Sequence, residues 1–152
     1  MKVLLITDAW FPQVNGVVTT YSNIISELSK RNIEVEVLHP GNFFSLPLPF
    51  YNEIKAAINP WEVISKIKES DADYIHIGTE GPLGIVSRIY LSYKKIPFTS
   101  AVHTKFPEYL NLHIKVPLSI TYALMRWFHK RSHSVLVNTK SHKKELEKRG
   151  FR

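Results

Sequence analysis

The sequence predicts an α/β fold: an open, parallel, doubly wound (Rossmann-like) sheet of about five to six strands with helices on both faces. Five short runs of apolar and β-branched residues alternate with segments whose apolar residues recur with helical period. Such alternation is typical of parallel strands joined by crossover helices. The 152 residues are 44% hydrophobic and 22% charged, which suits one packed domain over residues 1–152.

The five strand candidates are short and lack helical period. Their β-branched residues are typical of strands that are buried on both faces of a parallel sheet. With right-handed crossovers and the strand order 2-1-3-4-5, loops at the carboxyl ends of strands one, three and four would be neighbours. The predicted strands cover residues 2–7, about 33–38, 74–77, 98–102 and 134–137.

Capping residues mark the intervening helices. Asn59 followed by Pro60 and Glu62 is typical of a helix start, and Pro82 and Pro117 can open two further helices. Asn32 suggests the end of the first helix. A last helix, about 140–149, would end at a left-handed glycine, with Phe151 packing back on Leu146. The predicted apolar faces are Val17, Tyr21, Ile24 and Leu28; Val63, Ile64 and Ile67; Val86, Ile89 and Tyr93; and Ile120, Leu124, Trp127 and Phe128.

The aromatic and proline-rich stretch 41–51 predicts a mobile loop or an irregular excursion. It could act as a lid, or it could pack down on the sheet.

Composition excludes several classes of function. The chain has no cysteine, which excludes disulfides, zinc–thiolate sites and thiol nucleophiles. No apolar run is long enough to span a bilayer, and a cytoplasmic protein is expected. Residues 115–152 carry a net charge of +8, whereas the rest carries −1. This basic third could meet anionic lipid, a phosphate-bearing substrate or an acidic partner, or it could be a solvated face. Nucleic acid is not expected, because no recognised reading motif is present.

Three loops carry the candidate chemistry. In residues 8–16, a glycine at a helix start lets backbone N–H groups approach a phosphate or a sugar, although a tight strand-to-helix turn would look the same. In residues 78–84, Glu80 is either a capping carboxylate or a binding residue. In residues 103–109, His103 could hydrogen-bond a sugar hydroxyl or a developing charge, or be a turn histidine satisfied by the backbone.

The remaining histidines and serines give weaker signals. His129 and His133 are interpreted as surface groups, and His76 as a structural residue inside a strand. Ser100, Ser134 and Ser141 lack a nucleophile-elbow context. No metal site and no cofactor are predicted.

Taken together, the three loops resemble the amino-terminal domain of family 4 retaining glycosyltransferases, which have the GT-B fold. The matching pieces are residues 6–8, 12–18, 79–84 and 103–109, with a weaker match over 135–139 and the final helix. The resemblance implies transfer of a hexose (mannose, glucose or galactose) from a nucleotide-sugar to a lipid or sugar acceptor, with retention at the anomeric carbon and without an essential metal.

The resemblance also implies roles for individual residues. His103 would be the catalytic contact to the donor sugar. Asn15 and Gly16 would lie in the loop that approaches the donor diphosphate or the acceptor. The acceptor side would be shaped by Asp8, Thr104, Lys105 and Tyr109, with Glu80 and Gly81 as secondary candidates.

The sequence departs from the family pattern at Asn32-Ile33, which replaces a usual glycine-histidine in a turn, and at two points that bear on function. Lys105 stands where many members have an acidic residue, which bears on acceptor choice. Family members also continue into a carboxyl-terminal nucleotide-sugar domain that these residues do not contain. The chain alone is therefore expected to be inactive, and an exposed interdomain face could drive self-association. A non-enzymatic α/β module that binds sugar or phosphate is the alternative.

A basic and aromatic stretch could reach a membrane. Residues 114–131 mix apolar, aromatic and cationic side chains. Such a helix could lie on an anionic membrane surface at the inner face, as a lipid acceptor would require. The other interpretation is a helix that packs on the core and exposes one basic face to solvent.

Overall fold

The computed structural model describes residues 1–48, 51–57, 59–103, 107–108, 111–112 and 115–151. Strands and helices alternate along most of the chain, as the sequence predicts. The elements are β1 (Lys2–Ile6), α1 (Gly16–Ser29), β2 (Glu34–Leu38), a 3-10 turn (Pro40–Asn42), β3 (Ser45–Leu48), β4 (Tyr51–Ala57), α2 (Pro60–Glu69), β5 (Tyr74–Ile77), α3 (Pro82–Lys94), β6 (Thr99–Val102), α4 (Leu118–His129), β7 (Ser134–Val137) and α5 (Lys140–Lys148).

The main sheet has five parallel strands in the order β2-β1-β5-β6-β7. Val3 of β1 pairs with Val35 of β2 on one side and with Tyr74 of β5 on the other. The strand order therefore reverses between β1 and β5, and a crevice opens there at the carboxyl ends. The predicted fold class is confirmed.

Helices cover both faces of this sheet. Buried residues of α2, α3 and α4 share one apolar cluster with β1, and they include Val63, Leu83 and Phe128. The buried residues of α1, Val18 and Tyr21, are not part of that cluster. Since right-handed crossovers carry α1 to the face opposite α2, α3 and α4, this division follows from the strand order.

The predicted helix ends are observed. The Asn59 side chain accepts a hydrogen bond from the Trp61 N–H at 3.0 Å, which caps α2. Asn32 has a φ of 57° and lets the chain close the end of α1. Gly150 has a φ of 83°, and Phe151 packs against the cluster that contains Leu146.

The prediction of an irregular excursion over 41–51 is wrong for much of that stretch. Strands β3 and β4 form a separate antiparallel pair, with a register shift between Pro47 and Leu48. The prolines hid this pairing, because proline cannot donate to a strand ladder and argues against a strand in sequence. A two-stranded pair has only edge strands, where such a residue is tolerated.

The predicted apolar faces of α3 and α4 are largely wrong. Ile89 and Tyr93 of α3 are exposed, as are Ile120, Leu124 and Trp127 of α4. The buried faces instead contain polar residues whose side chains are hydrogen-bonded. The Arg88 guanidinium, for example, donates to the main-chain oxygen atoms of Phe128 and Trp127. An apolar stripe on each helix is thereby left outside the core.

None of the helices among the described residues is both long enough and apolar enough to cross a bilayer.

Candidate functional site

The three loops meet at the carboxyl ends of β1, β5 and β6. The Asp8 N–H donates to the Thr79 hydroxyl at 2.7 Å, which joins the first loop to the second. Nε2 of His103, just after β6, lies 2.7 Å from the hydroxyl oxygen of Tyr21 on α1. The same hydroxyl lies 3.3 Å from the Gly78 carbonyl oxygen. The expected convergence of the loops is therefore observed.

Asp8 holds the second loop in place. Its Oδ1 accepts from the Leu83 N–H at 2.8 Å, and its Oδ2 accepts from the Gly84 N–H at 3.3 Å and from the Thr79 hydroxyl at 2.9 Å. The carboxylate thus caps the amino terminus of α3. Burial raises the pKa of Asp8 to about 6, although these three donors oppose the shift. A Cβ at Gly81 would lie 2.4 Å from the Asp8 carboxyl carbon, so the glycine makes room for this cap.

Asn15 and Gly16 begin α1. The Asn15 Oδ1 accepts from the N–H groups of Val17 and Val18, both at 3.0 Å, and so serves as the helix cap. A Cβ placed on Gly16 would meet no atom of the described residues within 4 Å. The backbone at Gly16 therefore faces open space, where a ligand can approach a helix amino terminus.

Glu80 does not cap α3, so the capping interpretation is wrong. The capping groups there belong to Asp8, whereas the Glu80 Oε1 lies 3.2 Å from Nε2 of His129. His129 is only 3% exposed and its Nδ1 lies 2.8 Å from the Ser100 hydroxyl, so its interpretation as a surface group is also wrong. The i, i+4 spacing could not show that the last residue of α4 turns toward the sheet. His133 is exposed, as expected.

His103 belongs to a chain of polar side chains under the site. Tyr21, with 2% of its surface exposed, contacts His103 and also Nε2 of His76 at 3.0 Å. Nδ1 of His76 lies 2.7 Å from the Thr99 hydroxyl. Burial lowers the pKa of His76 to about 4 and lowers the pKa of His103. Both rings are therefore neutral near pH 7.

A cavity of about 470 Å³ lies beside the first loop. Asp8 and Asn15 contribute to its wall, together with the aromatic Trp10 and Phe11 and with His39 after β2. Sequence reasoning did not single out His39, because nothing in its neighbourhood marks a site.

The sequence-predicted residues thus divide into three groups. The structure brings His103, Asp8 and Gly81 to one edge of the sheet, with Glu80 near enough for its charge to favour protonation of Asp8 and His103. It places Asn15 and Gly16 at the start of α1, with Gly16 open. Thr104, Lys105 and Tyr109 lie outside the described residues. Tyr21, Thr79 and His129 were missed as site residues, because only their distant partners reveal them. Among the described residues, no group of three or more His, Asp or Glu side chains could hold a metal ion.

The structure defines the class of protein: an α/β domain whose candidate site lies where the strand order of a doubly wound sheet reverses. The sequence profile of Glycosyltransferase Family 4 matches residues 14–152. The chain therefore belongs to this family.

Two individual proteins are similar to the chain. Alpha-monoglucosyldiacylglycerol synthase of Streptococcus pneumoniae is 26% identical over 125 residues, which cover 73% of this chain and 28% of that protein. The chain thus spans less than a third of the length of this relative. A UDP-GlcNAc 2-epimerase from Methanocaldococcus jannaschii has a similar fold, with a TM-score of 0.60 and 18% identity over 100% of this chain and 43% of the other.

Proposed function

We propose that the chain is the acceptor-side half of a retaining glycosyltransferase with the GT-B fold. It would help to move a hexose from a nucleotide-sugar to a lipid acceptor, and a second domain would hold the donor nucleotide. The family match supports glycosyl transfer, and the pneumococcal relative, named for a glucosylated diacylglycerol, favours a lipid acceptor. The observation that carries the proposal is the meeting of His103 with the first two loops at one edge of the sheet.

The residues of the site are suited to positioning the substrates rather than to covalent catalysis. His103 is neutral and half-buried, so it can orient a sugar oxygen without adding a charge. The backbone at Gly16 can receive an anionic or hydroxyl group at the positive end of α1. The aromatic wall of the neighbouring cavity offers apolar surface to an acceptor. Transfer would then depend on positioning the acceptor oxygen beside the anomeric carbon and on stabilising the leaving diphosphate.

A complementation assay tests this function. The chain is incubated with diacylglycerol vesicles and with UDP-glucose, UDP-galactose or GDP-mannose, alone and with the carboxyl-terminal portion of the pneumococcal synthase. We expect a glycolipid product only when both portions are present, because each supplies half of the site. Equal turnover by the chain alone would contradict a half-site. Sugar binding without transfer under every condition would favour the non-enzymatic module.

The exposed stripes of α3 and α4 support peripheral binding to an anionic membrane. Trp127 and Tyr93 are 40% and 79% exposed, and neither helix contains an acidic residue. Exposed cations lie at the carboxyl ends of both helices: Lys94 ends α3, and Lys130 and Arg131 follow α4. Apolar and aromatic side chains bordered by cations are typical of surfaces that lie in the headgroup region of anionic bilayers.

Flotation with phosphatidylcholine vesicles, with and without phosphatidylglycerol, measures this binding. We expect Leu124→Ser to weaken binding to the anionic vesicles roughly tenfold, since it removes about one buried leucine from the contact. Ile24→Ser is the matched control, because Ile24 is 42% exposed on the opposite face of the sheet and Leu124 is 49% exposed. Binding that ignores lipid charge, or equal losses in both variants, would contradict this orientation.

A further inference from the structure

We infer that Tyr21 is a positioning residue that fixes the proton of His103 on Nδ1, so that the ring offers a donor to a substrate oxygen. Four side chains form the relay that fixes it: Thr99, His76, Tyr21 and His103. The use of this donor in sugar transfer rests on the proposed function, whereas the position of the proton does not.

The distances give the relay a direction. A hydroxyl donor makes shorter hydrogen bonds, near 2.7 Å, than a ring N–H, near 2.9–3.0 Å. The contacts from Thr99 to Nδ1 of His76 and from Tyr21 to Nε2 of His103 are both 2.7 Å, which fits hydroxyl donors. The contact between Nε2 of His76 and the Tyr21 oxygen is 3.0 Å, which fits a ring N–H donor.

The proton inventory agrees with this direction. The Tyr21 hydroxyl has one proton. The Gly78 carbonyl oxygen lies 3.3 Å away, outside the usual range for an O–H donor, so it does not compete well for that proton. If Tyr21 donates to Nε2 of His103, a neutral His103 must carry its own proton on Nδ1.

Nδ1 of His103 is the end of the relay that lacks a hydrogen-bond partner among the described residues. It is buried, and the nearby Asn138 amide donates instead to the His103 carbonyl oxygen at 3.0 Å. A buried N–H without an acceptor is destabilising. A substrate oxygen at this point would supply the missing acceptor, and the ring would act as a donor rather than as a general base.

The relay is built into the core. A Cβ at Gly78 would lie 2.6 Å from the Tyr21 hydroxyl oxygen, so only glycine at the end of β5 leaves room for this group. The Tyr21 ring also packs edge-on against both histidines, with centroid distances of 5.8 Å to His76 and 4.9 Å to His103. Tyr21→Phe would keep this packing and remove only the hydroxyl.

Long-range ¹H–¹⁵N spectra of the chain labelled with ¹⁵N-histidine, recorded without substrate at pH 7.5, read the tautomers directly. The seven histidines are assigned with single His→Gln variants. We expect His103 protonated on Nδ1 and His76 protonated on Nε2. In Tyr21→Phe, His103 should lose its fixed Nδ1 tautomer, whereas Tyr93→Phe, which removes an exposed hydroxyl, should leave both rings unchanged.

Thr99→Val supplies a second test at the other end of the relay, independent of whether Tyr21→Phe folds. It removes the hydroxyl that donates to His76, and we expect His76 to leave the pure Nε2–H form. An Nε2–H tautomer of His103 in the parent chain would overturn the inference. So would unchanged tautomers of both rings in a folded Tyr21→Phe or Thr99→Val chain.

In the complementation assay, we expect Tyr21→Phe to lower the transfer rate about tenfold, whereas Tyr74→Phe, which removes an exposed hydroxyl at the amino end of β5, should leave it unchanged. An unchanged rate in a Tyr21→Phe chain whose His103 tautomer has changed would overturn the role of the donor in transfer. Absence of transfer by the parent chain would count against the proposed function, while the spectra would still decide the position of the proton.

Discussion

His103→Ala is expected to lower glycosyl transfer in the complementation assay by about 10²–10³-fold. Loss of one preorganised hydrogen-bond donor at a reacting centre has an effect of this size. The ring follows β6 directly and contacts the buried Tyr21, so the substitution removes a group whose position the core fixes. The loss should fall mainly on the turnover rate, because the donor nucleotide would be held by the other domain.

His133→Ala is the control for this substitution. His133 is exposed on the turn before β7, at the amino-terminal edge of the sheet, whereas the converging loops lie at the carboxyl edge. We expect its transfer rate to equal that of the parent within about twofold. Thermal unfolding of both variants separates lost chemistry from lost folding. If a folded His103→Ala chain retained more than about a third of the parent rate, His103 would not be the catalytic contact.

The sheet could be predicted from sequence because its signals are local. The strand predicted over 2–7 is observed as Lys2–Ile6, and those over 74–77 and 134–137 have the predicted bounds. β-Branched runs and caps depend on neighbours a few residues away. The strand order then follows from the handedness of the crossovers. The sequence alone could therefore predict that the three loops lie at the carboxyl edge of the sheet, and with them the candidate site.

The contacts inside the site could not be predicted, because their partners are far apart in the chain. Tyr21 and His103 are separated by 82 positions, and Asp8 and Leu83 by 75. No periodicity reports such a pair. The sequence pattern assigns Tyr21 to the apolar face of α1 and His129 to the surface. In the structure, each is buried beside a polar partner, His103 and Ser100 respectively. The same gap explains the wrong faces of α3 and α4, since buried Arg88 and Thr121 are compatible with the core only through specific hydrogen bonds.

Gly84→Ala is expected to destabilise the chain by about 1–2 kcal/mol. Two effects of opposite sign compete. Alanine inside a helix is favoured over glycine by roughly 1 kcal/mol. A Cβ at Gly84, however, would lie 2.0 Å from the carbonyl oxygen of Thr79. Main chain on both sides must then move, and overpacking of this kind costs about 1–3 kcal/mol, occasionally more. The movement would also weaken the hydrogen bond from the Gly84 N–H to Asp8, so the steric effect should prevail.

Gly16→Ala makes the same chemical change where the described residues leave open space. We expect its free energy of unfolding, measured by urea denaturation, to stay within about 0.5 kcal/mol of the parent or to rise. If substrate approaches the backbone at Gly16, the added methyl group should still lower transfer at least tenfold. The two substitutions would then differ in effect: Gly84→Ala would lower the stability of the chain, whereas Gly16→Ala would lower the transfer rate. A Gly16→Ala chain with full transfer activity would contradict the donor or acceptor role of that loop, and a Gly84→Ala chain as stable as the parent would contradict the tight packing of the second loop on α3.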